Sequence, residues 1–108
     1  MVDYYFKIKE NSSDLFDRYN VKNGVNAGTG RCDIIMIPKN NIQPGFVIEI
    51  KHSKSKSQLS KAISNKAIEQ IKQKNYPELL IQYECANIYL FGFAFQNKSS
   101  IIVSEEYK

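Results

Sequence analysis

Two short apolar runs stand out in the middle of the chain. Residues 32–37, Cys-Asp-Ile-Ile-Met-Ile, form a β-prone run that stops at Pro38, and residues 46–51, Phe-Val-Ile-Glu-Ile-Lys, form another behind Pro44-Gly45. The polar stretch Lys39-Asn40-Asn41 with Gln43 lies between them, which predicts an antiparallel hairpin. Downstream, Leu59, Ala62, Ile63, Ala67, Gln70 and Ile71 recur at three- and four-residue steps, the signature of one helical face. Ser57 or a nearby serine can cap that helix, which runs to about Lys74 and is ended by Tyr76-Pro77. Residues 88–95 are apolar on both faces, as in a central strand covered on both sides, and Gln96-Asn97-Lys98 turns into a last strand over 99–103. The start of the chain says less. Residues 2–8 could pair as a strand, Ser12 or Ser13 could cap a short helix through Leu15, Phe16 and Tyr19, and residues 24–30 read as a Gly/Asn-rich loop. The clear elements run strand–strand–helix–strand–strand, which predicts an α/β fold with a mixed sheet flanked by helices.

Composition narrows the class. A chain of 108 residues has room for one domain, expected here over 1–108, and 43% hydrophobic with 24% charged residues is ordinary for a globular protein. A net charge of +4 leans towards polyanionic partners. Lys51, Lys54, Lys56, Lys61, Lys66, Lys72 and Lys74 are opposed only by Glu69 between them. Such a run is either a solvated helix face or a nucleic-acid surface, and the pattern leaves both open. Cys32 and Cys85 sit in no metal or redox pattern. They leave a disulfide open but fit a reducing cytosol better than a secreted scaffold. The Met-Val-Asp-Tyr start lacks a signal-peptide pattern, and no apolar run is long enough for a membrane helix, so a cytoplasmic protein without membrane attachment is expected.

The candidate chemistry lies in the hairpin. Asp33, Glu49 and Lys51 are ionisable residues in otherwise apolar strands. Strand alternation puts Glu49 and Lys51 on one face, and a hairpin centred near Asn41 brings Asp33 opposite Glu49. Two adjacent carboxylates repel unless a cation lies between them, and oxygen ligands with several retained waters suit Mg²⁺ or Mn²⁺. Lys51 could then hold a water or a phosphate oxygen. A Glu-x-Lys alone is usually a solvated edge, and Asp33 could simply pair with Arg31 or Lys51. Joined by a hairpin, with a polar Gln70 on the apolar face of the next helix, the three argue for a site. Two other readings fall away. The glycines of residues 24–30 lack the Lys-Ser/Thr and following helix of a phosphate loop, and His52 is the only histidine, too few for a zinc site or a histidine-based triad.

These motifs resemble a known family. Gly30-Arg31-Cys32-Asp33-Ile34 followed by Val47-Ile48-Glu49-Ile50-Lys51 looks like the Asp and Glu-x-Lys motifs of the PD-(D/E)XK nuclease superfamily. Ala67-Ile68-Glu69-Gln70-Ile71, then Tyr76 and Gly92-Phe93-Ala94-Phe95, resembles the subfamily found C-terminal to bacterial ATPase-like domains. The resemblance implies a restriction-endonuclease-like core and Mg²⁺- or Mn²⁺-assisted phosphodiester hydrolysis, with DNA the expected substrate. It further implies Asp33 and Glu49 as metal ligands, the Ile50 carbonyl as a third, Lys51 beside the attacking water, and Gln70 in support. Arg31, His52, Lys54 and Lys56 are the expected nucleic-acid contacts. The resemblance also admits a homodimer, though no residue specifies one. Where the subfamily usually carries a glutamate ahead of Gly-Arg-x-Asp, this chain has Asn26. A nuclease fold that only binds nucleic acid or a protein partner is the alternative function.

Overall fold

The computed structural model describes residues 17–40, 42–53, 60–97 and 99–107. The strand expected over 2–8, Ser12, Ser13, Leu15, Phe16, Asn41, Lys54, Lys56, Ser57, Leu59 and Lys98 lie outside them.

Among the described residues, five strands form one sheet in chain order: β1 (Tyr19–Ala27), β2 (Gly30–Pro38), β3 (Gly45–His52), β4 (Ile88–Gln96) and β5 (Ser99–Tyr107). The pairs β1–β2, β2–β3 and β4–β5 are antiparallel and β3–β4 is parallel, so the sheet is mixed. A parallel pair needs a crossover, and α1 (Lys61–Gln73) supplies it, followed by the short α2 (Glu78–Gln82). In the β2–β3 hairpin Ile34, Ile35 and Met36 face Ile48, Val47 and Phe46. That register is symmetric about position 41, as the length of the connection requires.

β1 corrects the reading of residues 24–30 as a loop and of Tyr19 as helical. The strand pairs with β2 through Ala27, leaving only Gly28 and Thr29 as the turn. Its polar residues Lys22, Asn23 and Asn26 are exposed on what is, among the described residues, an edge strand, where backbone pairing rather than apolar burial defines the element. The turn docks on the end of α1. Thr29 donates its N–H to the Lys74 carbonyl at 2.8 Å, and a Cβ at Gly28 (φ +54°) would lie 2.0 Å from that oxygen.

α1 opens at Ser60, which is extended, and Asn75 in the left-handed region (φ 58°) ends the turn beyond it. Its buried stripe is Ser64, Ala67, Ile68 and Ile71, at steps of three and four. Ala62, expected on that stripe, is exposed instead, because it lies nearly opposite Ser64 around the helix. Gly92 lets the helix settle close to the sheet: a Cβ there would fall 2.2 Å from the Ser64 carbonyl. The Ser64 hydroxyl, itself buried, donates to the Ile101 carbonyl at 2.8 Å.

The main core lies between the sheet and α1, and includes Ile35, Ile37, Val47, Leu90, Ile68, Ile71 and Tyr76. Along β4, Ile88, Leu90, Gly92 and Ala94 face it, whereas Tyr89, Phe91, Phe93 and Phe95 are half-buried on the other face. The expectation of a strand fully covered on both sides is therefore corrected to one dry face and one partly open aromatic face. A second cluster of Tyr19, Ile34 and Met36 with Phe46 and Ile48 occupies that face. Phe46 lies 5.8 Å from Tyr19 and 5.9 Å from Phe91 by ring centroids. No helix among the described residues is long and apolar enough to cross a membrane.

Candidate active site

The β2–β3 ladder stops one step short of Asp33 and Glu49. Strand alternation also slips here: Cys32, Ile35 and Ile37 all belong to the main core, while Ile34 and Met36 face the other side. Asp33 sits at the slip. Its Oδ2 accepts the Ile50 N–H at 2.8 Å, taking the place of a ladder carbonyl. Cys32 Sγ donates to the Ile34 carbonyl at 3.4 Å, and burial pushes its thiol up to about 12, with the nearby Glu49 adding to the shift.

Glu49 shares its strand face with Val47 and Lys51 and is only 3% exposed. Burial first, then the hydrogen bond and charge of Asp33, push its carboxyl up to about 8, while Lys51 opposes. The two carboxyl groups thus lie together at the point where the strands part, and both burial and the neighbouring acid favour the protonated form of Glu49.

Gln70 joins this pair to the lysine. Its Nε2 donates to Glu49 Oε2 at 2.6 Å, and its Oε1 accepts from Lys51 Nζ. The same Nε2 lies 3.4 Å from the Tyr76 hydroxyl, which donates to the Arg31 carbonyl at 2.9 Å. Tyr76 is 1% exposed, and burial raises its hydroxyl above the ordinary value against the opposing Gln70 bond, so it stays a donor.

The structure therefore brings Asp33, Glu49, Lys51 and Gln70 together. Arg31 is exposed, with its guanidinium against the backbone of Gly24. Asn26 is exposed on β1 opposite Arg31. His52 belongs to the other strand face from Glu49 and Lys51 and meets Phe95 edge-on at 5.1 Å. Lys54 and Lys56 lie outside the described residues. Sequence reasoning missed the part played by Tyr76. The available signal was a tyrosine at a helix end, whose hydroxyl needs a partner when buried.

Two carboxylates and the Ile50 carbonyl could hold a hard cation. That carbonyl leaves the strand on the same edge as the Ile50 N–H, towards Asp33. Mg²⁺ commonly takes one or two carboxylates and fills its other positions with water, so this set suffices. The repulsion between Asp33 and the buried Glu49 marks the fit, because a cation would relieve it. Among the described residues no group of three or more His, Cys, Asp and Glu side chains converges. Beside Lys51 an open groove of about 510 Å³ is lined by Ile63, Lys66, Glu69, Gln70, Gln73 and Lys74. The two cysteines are free.

No curated protein and no solved structure matches the chain. A family model described as the PD-(D/E)XK nuclease superfamily matches residues 4–105.

Proposed function

The chain belongs to the PD-(D/E)XK nuclease superfamily, and on that premise we propose that it is a divalent-metal-dependent nuclease that hydrolyses phosphodiester bonds in DNA. Its five-stranded mixed sheet with a helix packed against it is the restriction-endonuclease-like core of that superfamily. The observation that carries the proposal is the convergence of Asp33 and Glu49 where the β2–β3 ladder opens, with Lys51 tied to the same point through Gln70.

Nucleases of this superfamily generally use divalent metal ions. Asp33, Glu49 and the Ile50 carbonyl would hold Mg²⁺ or Mn²⁺, which supplies polarisation of the phosphate and a more acidic bound water. Glu49 releases its proton to offer a full charge, so proton and cation compete for one place. Lys51 brings an ammonium next to the carboxylates, where it stabilises negative charge growing on phosphate oxygens. Gln70 aims Lys51 and Glu49 by holding one at each end of its carboxamide.

The test is nicking of plasmid DNA by the purified chain with Mn²⁺, beside its Glu49→Ala variant. Cleavage by the parent and none by the variant is the expected result. Equal activity in both would trace the cutting to a contaminant and sink the assignment. A second reading, a nuclease fold that binds without cutting, draws on Asn26 and on the absence of a third acidic ligand among the described residues. It predicts nucleic-acid binding with neither Mn²⁺ uptake nor cleavage.

A further inference from the structure

We propose that Tyr76 is a positioning residue: its hydroxyl fixes which way round the Gln70 carboxamide sits, and so sets the bonds that reach Glu49 and Lys51. The inference deepens the nuclease reading, but its geometry stands apart from whether the protein cuts.

A glutamine carboxamide has two ends of nearly equal shape and opposite hydrogen-bonding sense. Here the oxygen faces the Lys51 ammonium, which can only donate, and the NH₂ faces Glu49 Oε2. Tyr76 adds a constraint from a third side. Its single hydroxyl hydrogen is committed to the Arg31 carbonyl at 2.9 Å, and a backbone carbonyl cannot reverse its role. Towards Gln70 the phenolic oxygen therefore presents only lone pairs. The Gln70 NH₂, 3.4 Å away, satisfies them, whereas a flipped carboxamide would set oxygen against oxygen. The chain from Gln70 through Tyr76 to Arg31 runs in one direction, and each bond polarises the next.

Tyr76 is well placed for this work. It is buried, and its N–H is held by the Ile71 carbonyl at 3.1 Å just beyond α1. Arg31 lies two residues ahead of Asp33 on β2. One hydroxyl thus ties the strand carrying the first carboxylate to the helix carrying Gln70. A ring that merely filled the core would need no oxygen at this point.

The experiment uses Tyr76→Phe, which keeps the ring and removes the oxygen. In the metal-free chain the two side-chain NH₂ protons of Gln70 are followed by NMR, with backbone amide signals reporting the fold. The expected result is separate, exchange-protected Gln70 signals in the parent that shift and lose protection in Tyr76→Phe. Unprotected signals in the parent, or protected signals unchanged in the variant, would overturn the proposal. Cleavage rates supply the second arm. Tyr76→Phe should slow cutting by about tenfold, the scale of one hydrogen bond, when Gln70 is present and leave it unchanged in a Gln70→Met background. Equal slowing in both backgrounds would mean Tyr76 acts only through the fold and would also overturn it. If the parent cuts nothing, the nuclease reading fails while the Gln70 signals still decide this one.

Discussion

Glu49 keeps its proton to about pH 8, where an ordinary glutamate gives it up near 4.5. Between those values the folded chain holds a proton that the unfolded chain has released. The stabilisation is therefore fully present below the unfolded value and is lost as pH rises through the folded one. Glu49→Gln cannot ionise, yet it still offers an NH₂ to Asp33. Without metal, the parent should lose stability relative to Glu49→Gln between about pH 5 and about pH 9, read as urea midpoints. Parallel loss in both proteins would show that Glu49 does not carry the raised carboxyl. At the neighbouring lysine the expectation concerns rate. Lys51→Ala should keep the fold and most Mn²⁺ binding while lowering cleavage by roughly 10²-fold, as removal of one transition-state donor commonly does. Lys51→Arg should rescue poorly, since a broad guanidinium fork does not reproduce a compact ammonium. Equal cutting by parent and Lys51→Ala would remove Lys51 from the chemistry.

Among the elements, the contact between α1 and β4 has the least slack. With the Ser64 carbonyl 2.2 Å from where a Cβ would stand, Gly92→Ala must push the helix outward. Overpacking of this kind costs about 1–3 kcal/mol, measurable as a lower denaturation midpoint. Because α1 also carries Gln70, cleavage should fall further than the loss of folded protein explains. An unchanged midpoint would mean that the helix can shift freely. The same elements show what the sequence could reveal. The 33–49 juxtaposition followed from the length of one short connection and from Glu-x-Lys alternation, both local properties. β1 was hidden because an exposed edge strand has no apolar stripe to announce it. The slip at Cys32, which turns that side chain into the core, depends on packing against α1 rather than on neighbours in sequence. The link from Tyr76 to Arg31 spans 45 positions, and only the closed fold brings them together.

At the scale of the whole molecule, charge is the property most open to test. The chain carries a net +4, and Lys66 and Lys74 line the groove that leads away from Lys51. Lys72 is paired with Glu105 across to β5 and is the less available cation. If this groove follows a phosphate backbone, affinity for DNA should fall steeply with added salt, because each neutralised phosphate releases counterions. Replacing Lys66 and Lys74 together by Ala should flatten the slope of log affinity against log salt by about 1 to 2. A slope already near zero in the parent would point to a protein partner instead. A fluorescence titration at several ionic strengths is enough to decide.

Asp33 does two jobs at once, and their consequence reaches beyond this molecule. Its carboxylate closes the backbone hydrogen bond that β2 cannot offer to Ile50. Removing it would hand this exposed donor to water at the point where the sheet divides, at the cost of about 0.5–1.5 kcal/mol typical of one hydrogen bond, whether or not the protein cuts anything. A descendant that abandoned catalysis would still be held to an acceptor at this position by folding alone. Lys51 has no such tether, for it bonds a side chain that can change along with it. The surviving aspartate is thus a poor witness to activity in any lineage built on this sheet, and the lysine is the residue whose loss would record that the chemistry had lapsed.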